Sequence, residues 1–170
     1  MIREHVTGYM NEDRTALISS TDESLLRLYR YWSGRRGRAS FPSSADIDLA
    51  DFAYAQSHVS IIEVQRDPVR FRYRHVSTAL TAHLGYEMTG RSVEEIPEPS
   101  MRAFTRRFYE QAVQRRAPLH DVNTVLIERY SWSYEVLILP FAADGETIDT
   151  LLIYRRTEPP TAASFALTAE

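Results

Sequence analysis

The stretch 66–91, RDPVRFRYRHVSTALTAHLGYEMTGR, limits what this chain can fold into more than any other part of it. Val69, Phe71, Tyr73 and His75 alternate with Arg70, Arg72 and Arg74. Successive strand residues point to opposite faces, so this period of two predicts a half-buried strand over 69–76 with one apolar and one arginine face. Arg66-Asp67-Pro68 in front of it is turn chemistry and joins it, as a hairpin, to a strand over 58–65. Behind it, Ser77 or Thr78 opens a short helix that is expected to bury Leu80 and Leu84 and to stop at Gly85, ahead of a Thr89-Gly90-Arg91 corner. No residue in the stretch is arranged like a catalytic group.

Helical spacing of Leu25, Leu28, Tyr29 and Trp32 predicts an amphipathic helix over about 22–32, with Ser20 and Glu23 at capping-box spacing and Gly34 as its stop. The basic run Arg35-Arg36-Gly37-Arg38 reads as a solvated helix exit with cations near the negative end of the dipole. Asp48 is expected to cap a short helix over 49–54. After Pro97 and Pro99, Ser100 is expected to cap a long helix to about residue 115, with Met101, Phe104, Phe108 and Ala112 on its buried stripe and Arg102, Arg106 and Arg107 facing away. Strands over about 121–129, 131–141 and 146–155 follow, the last two joined by Ala143-Asp144-Gly145-Glu146, where Asp-Gly signals a hairpin. The fold class is α+β: a five-stranded antiparallel sheet with helices on one face and an N-terminal flanking helix over 22–33. One domain over 20–156 is expected, between an N-terminal arm (1–19) and a C-terminal tail (157–170), both flexible.

Composition enters mainly by exclusion. The chain has 170 residues, a net charge of −3 and no cysteine. Disulfides, thiolate nucleophiles, cysteine-ligated metals and flavin–cysteine adducts are therefore excluded. The charge gives no general attraction to nucleic acid, and no nucleic-acid motif is present. Residues 1–14 lack the apolar core of a signal peptide, and no run approaches the ~20 apolar residues of a membrane span, so a cytoplasmic protein is the expectation.

Tyr31-Trp32, Arg35 to Arg38, Pro42, Asp46-Ile47-Asp48, the Arg70 to Arg74 strand, Gly85 and Thr89-Gly90-Arg91 occur in an order and spacing similar to a bacterial stand-alone subgroup of the PAS sensor domains. The resemblance covers roughly residues 22–155. It departs at Ser44 and Leu49, where the subgroup often has an arginine before the Asp-x-Asp and a proline after it. What the resemblance implies is a sensory or regulatory module, non-enzymatic, acting in signal transduction by binding a small ligand, a partner protein or both. It also implies a homodimer formed through the flanking helix, with Leu25, Leu28, Tyr29 and Trp32 as the dimer or partner candidates, although the same stripe can pack on its own domain. Any output then passes through an unidentified signalling protein or through changes in self-association.

A ligand in such domains sits between the sheet and the helices. The candidates here are Tyr73, Leu80, His83, Leu84, Met101, Phe104, Phe108, Trp132 and Tyr134. Aromatic side chains also fill cores, so a packed interior without a ligand, a partner-binding scaffold, accounts for the same residues. No cofactor is named by the sequence. Haem would need an axial ligand; His83 lies on the short helix, the long helix has no histidine, and Met101 is a poor substitute. Non-covalent flavin has no positive signal. His5, His58, His75, His83 and His120 form no metal-ligand spacing. The enzyme alternative is a small ketosteroid-isomerase-like cone, with Glu128 as its inward acid on the face of Val122, Thr124 and Leu126. The Arg70, Arg72, Arg74 face reads as exposed charge or as a surface for anions or acidic partners.

Overall fold

A computed structural model describes residues 20–127, 130–158 and 161–162, and of residues 125–127, 130, 132 and 161–162 it describes the backbone alone. The helices are α1 (Glu23–Arg36), α2 (Thr78–Leu84) and α3 (Pro99–Arg115), with 3-10 turns at Ser44–Asp46, Leu49–Ala55 and Val93–Glu95. The strands are β1 (Val59–Gln65), β2 (Arg70–His75), β3 (Leu119–Ile127), β4 (Tyr130–Phe141) and β5 (Thr150–Thr157), plus the short β6 (Thr161–Ala162). All ladders are antiparallel, in the order β2-β1-β5-β4-β3, with β6 beside the start of β4. The α+β sheet with its flanking helix is the architecture read from the sequence.

Register sorts the side chains by face. Phe71 and Tyr73 sit opposite Val64 and Ile62, Ile62 opposite Leu151, and Ile153 opposite Ser60 and Ile138. This inner face meets α2 and α3: the Tyr109 ring on α3 lies edge-on to Phe71 at 5.5 Å, and the Ser77 N–H donates to the Ser60 hydroxyl at 3.0 Å. Val59, Ile61, Leu152, Tyr154, Leu137 and Leu139 take the other, outer face. There α1 covers them, with Leu25, Leu28 and Trp32 buried and the Trp32 indole donating to the Pro140 carbonyl at 2.6 Å. With helices on both sides, the central strands are buried along their whole middle rather than alternately.

The edges of the sheet differ. β2 is occupied at its middle by the Thr89-Gly90-Arg91 corner: the Tyr73 N–H donates to Arg91 O at 2.9 Å and the Gly90 N–H to Tyr73 O at 2.7 Å. Gly90 has φ +82°, a left-handed conformation that a Cβ would strain, and the Arg72 guanidinium closes the corner by donating to Gly90 O at 3.1 Å. One member of the arginine face is thus engaged locally. Among the described residues β3 pairs with β4 alone, and Val122 on it is 66% exposed.

Several local expectations are corrected. Helix α1 runs through Gly34 to Arg36 and ends at Gly37; at its start the cap is Asp22, whose carboxylate accepts from Ser24 and Leu25 N–H, while Ser20 accepts from Asp22 N–H. Pro99 stands at the start of α3 and Ser100 lies inside the helix, so no side chain caps it. The buried stripe of α3 is Thr105, Phe108, Tyr109 and Ala112, leaving Met101 and Phe104 half-buried; Arg102 turns back onto the Ile96 and Pro97 carbonyls and Arg106 pairs with Glu94. Leu80 and Leu84 are half-buried, and no side chain of α2 is fully enclosed. The β4–β5 connection spans 142–149, longer than a tight hairpin, with the Asp144 carboxylate accepting from Glu146 and Thr147 N–H. Residues 1–19 and 163–170 lie outside the described residues; Thr157 belongs to β5 and Thr161–Ala162 to β6.

Ser77 is the cap of α2, its hydroxyl accepting from the Leu80 N–H at 3.2 Å. Ser77→Ala keeps the backbone bond to Ser60 and removes the cap. Urea unfolding will show a loss of about 1 kcal/mol.

Candidate functional site

The site lies on the inner face, where α3 stands over β2 and β4 and α2 starts against β1. Each of its polar groups is aimed inward by strand alternation or helical phase. Tyr73 is two residues from Phe71 on β2, and both are buried. Tyr109 follows Phe108 on the stripe of α3, and its hydroxyl lies 3.3 Å from that of Tyr73 in a buried pair. Tyr134, at the start of the buried run of β4, donates to Asp121 on β3 at 3.3 Å. Arg155 keeps the phase of Leu151 and Ile153 on β5, so it too turns inward, with its guanidinium 5.5 Å from the centre of the Tyr134 ring. Its Nε is enclosed and has no hydrogen-bond partner.

The apolar side of the site comes from the helices. Leu80 and Leu84 on α2, and Met101 and Phe104 on α3, are half-buried against the core, and the Phe104 and Phe108 rings stack at 5.8 Å. His83, on α2, is half-buried as well. Elsewhere the interior is closed, with Ile62, Val136, Leu137, Ile138, Leu139 and Leu151 at 0–1% exposure. The partial exposure is confined here to residues of α2 and the start of α3.

Electrostatically the site has one fixed positive charge. Burial pushes the Tyr73 and Tyr109 hydroxyls up, and burial followed by the Asp121 charge pushes Tyr134 up to about 12; the Arg155 charge works against all three. Burial, then the same guanidinium, lowers His83 from 6.5, so its ring is neutral at pH 7. All three tyrosines are protonated there.

Of the residues singled out in the sequence, Tyr73, Phe108 and Tyr134 are buried in the core, Leu80, Leu84, Met101 and Phe104 pack half-buried against it, and His83 is half-buried on α2. The Trp132 side chain lies outside what is described, and so does Glu128, the acid of the isomerase alternative. Leu25, Leu28 and Trp32 are at 0–4% exposure within their own domain, and Tyr29 is half-buried with its ring stacked on Trp32 at 6.4 Å, so the stripe is spent on the sheet. Arg155 and Tyr109 were missed. The spacing of four from Thr105 would have found the second; the first follows an apolar run that shows no alternation in the sequence.

A second polar cluster lies on the outer face. The Tyr154 hydroxyl donates to Asp22 at 2.7 Å, Arg156 reaches Asp22 at 3.3 Å and Glu135 at 3.5 Å, and Glu135 meets His120 at 2.9 Å. The cluster ties β3, β4 and β5 to the cap of α1. Among the described residues no three acidic or histidine side chains are grouped to hold a metal ion, and no helix is long and apolar enough to cross a membrane.

The family model described as PAS domain matches residues 20–154. No curated protein matches the chain.

Proposed function

The chain belongs to the PAS domain family, whose members are in general sensory or regulatory, and from that premise we propose that it is a non-enzymatic sensor that binds a small molecule between α2, α3 and the inner face of its sheet. The observation that carries this reading is the contrast in closure. The centre of the sheet is sealed, while α2 has no fully buried side chain and Met101 and Phe104 on α3 stay half-buried. An interior packed for stability alone would be expected to collapse there, since apolar surface left partly wet forfeits burial free energy. A ligand with an apolar body completes it.

Output runs through α1. Arg155 and Arg156 are neighbours on β5, one facing the pocket and the other holding Asp22 at the start of α1. A ligand that shifts β5 biases the docking of α1, and a second copy of the chain or a signalling partner reads the change. Native mass spectrometry of the purified chain beside a denatured spectrum tests the ligand. Extra mass that disappears on denaturation is the expected result; a clean apo mass would favour a packed partner-binding scaffold.

A further inference from the structure

Two adjacent arginines on β5 have opposite fates. Arg156 faces outward and meets two carboxylates, Asp22 and Glu135. Arg155 faces inward, its Nε is enclosed and unpartnered, and among the described residues no carboxylate pairs with it. Asp121, the acid beside it on this face, accepts from the Tyr134 hydroxyl instead. An enclosed guanidinium Nε without a partner is costly, and its partial desolvation strengthens the pull of the charge on any anion that arrives.

The tyrosines of this face bring hydroxyl donors. In the Tyr73–Tyr109 pair one hydroxyl gives its proton to the other, and the second proton finds no acceptor among the described residues. The Tyr134 ring stands 5.5 Å from the guanidinium, and the Tyr73–Tyr109 pair lies on the same inner face of the sheet. What is missing there is an acceptor-only group with a single negative charge. A phosphate dianion would bring a second charge that no other cation balances, beside Asp121. A neutral ligand would leave the guanidinium as it is. The planar guanidinium matches a carboxylate in geometry as well as charge.

We infer that the pocket takes a small monocarboxylate, its carboxylate on Arg155 within reach of the tyrosine hydroxyls and its apolar body against Leu80, Leu84, Met101 and Phe104. The assignment rests on the ligand-binding reading above and names the class of ligand.

The test uses the full chain, with isothermal titration and thermal shift against hexanoate, octanoate and phenylacetate, the matching amides, and phenyl phosphate. At least one acid is expected to bind about tenfold or more tightly than its amide and than the phosphate ester. Arg155→Met removes that preference and Arg155→Lys restores part of it. Without any probe, Arg155→Met melts at or above the wild-type temperature, because an uncompensated charge has gone. The inference is overturned by an amide or phenyl phosphate that binds as well as the acid, by acid binding unchanged in Arg155→Met, by a Tm several degrees lower in that variant, or by no acid binding at all. A co-purifying mass carried equally by wild type and Arg155→Met would overturn the carboxylate assignment and leave the pocket standing. No bound mass and no binding by any acid or amide would remove both.

Discussion

Asp22→Ala will cost about 2–4 kcal/mol at neutral pH and will loosen α1 ahead of the rest of the domain. The magnitude has two parts. The Asp22 carboxylate accepts from the Ser24 and Leu25 N–H groups, and loss of such a cap typically costs about 1 kcal/mol. It also accepts the buried Tyr154 hydroxyl, which the variant leaves without a partner at a further cost of about 1–3 kcal/mol. Arg156 keeps Glu135, so its contribution is smaller. Hydrogen exchange will report the locality: the amides of α1 lose protection while those of β1 and β5 change little. Asp22→Asn, which keeps a capping oxygen, will fall in between.

The same carboxylate gives the difference a pH signature. Burial on its own would raise the Asp22 pKa, but the Tyr154 hydroxyl, the backbone amides and Arg156 outweigh it, and the folded value lies below 3.8. A group with a depressed folded pKa contributes its stability fully above the unfolded value and loses it as pH falls through the folded one. The gap between wild type and Asp22→Ala is therefore constant near neutrality and narrows as pH drops below about 4. A gap that widened in acid would contradict the arrangement.

The second large effect is expected from Leu25→Asp combined with Trp32→Asp. Both side chains are sealed against the outer face, and large-to-small changes at such positions alone cost about 2–5 kcal/mol each before any charge is buried. Two carboxylates cannot remain under α1, so the helix leaves the sheet. The strip formed by Ile61, Leu137, Leu139 and Leu152 is then uncovered. Brief protease digestion will cut the variant within 22–37, a hydrophobic dye will bind it, and size-exclusion chromatography will show self-association absent from wild type. A variant as resistant as wild type, and of the same size, would mean that α1 does not control that surface.

The sequence was most legible where a period was strong. The Phe71–Tyr73 alternation, Ser77 as a cap and Gly85 as a stop survive as read, because each is a local preference that tertiary packing reinforces. It was least legible where two signals competed. Gly34 looked like a helix stop, yet the burial of Leu28 and Trp32 holds the helix together across it until Gly37, at φ +57°. Ser100 looked like a cap, but Pro99 already provides a backbone preset for the first turn. The candidate site was mostly visible as aromatic and aliphatic positions. Its charge was not, because Arg155 follows an unbroken apolar run, Leu151 to Tyr154, in which alternation cannot be seen. That unbroken run carried a different message. Strands apolar on both faces need cover on both faces, and this is what places α1 opposite α3.

The unequal edges of the sheet bear on assembly. With β2 occupied by its glycine corner, strand addition has β3 as the side left open among the described residues. Two copies joined β3 to β3 about a two-fold axis would make one continuous sheet whose outward borders are both occupied β2 strands. Such growth would end at two molecules, with the corner on β2 as the chain terminator against fibre formation.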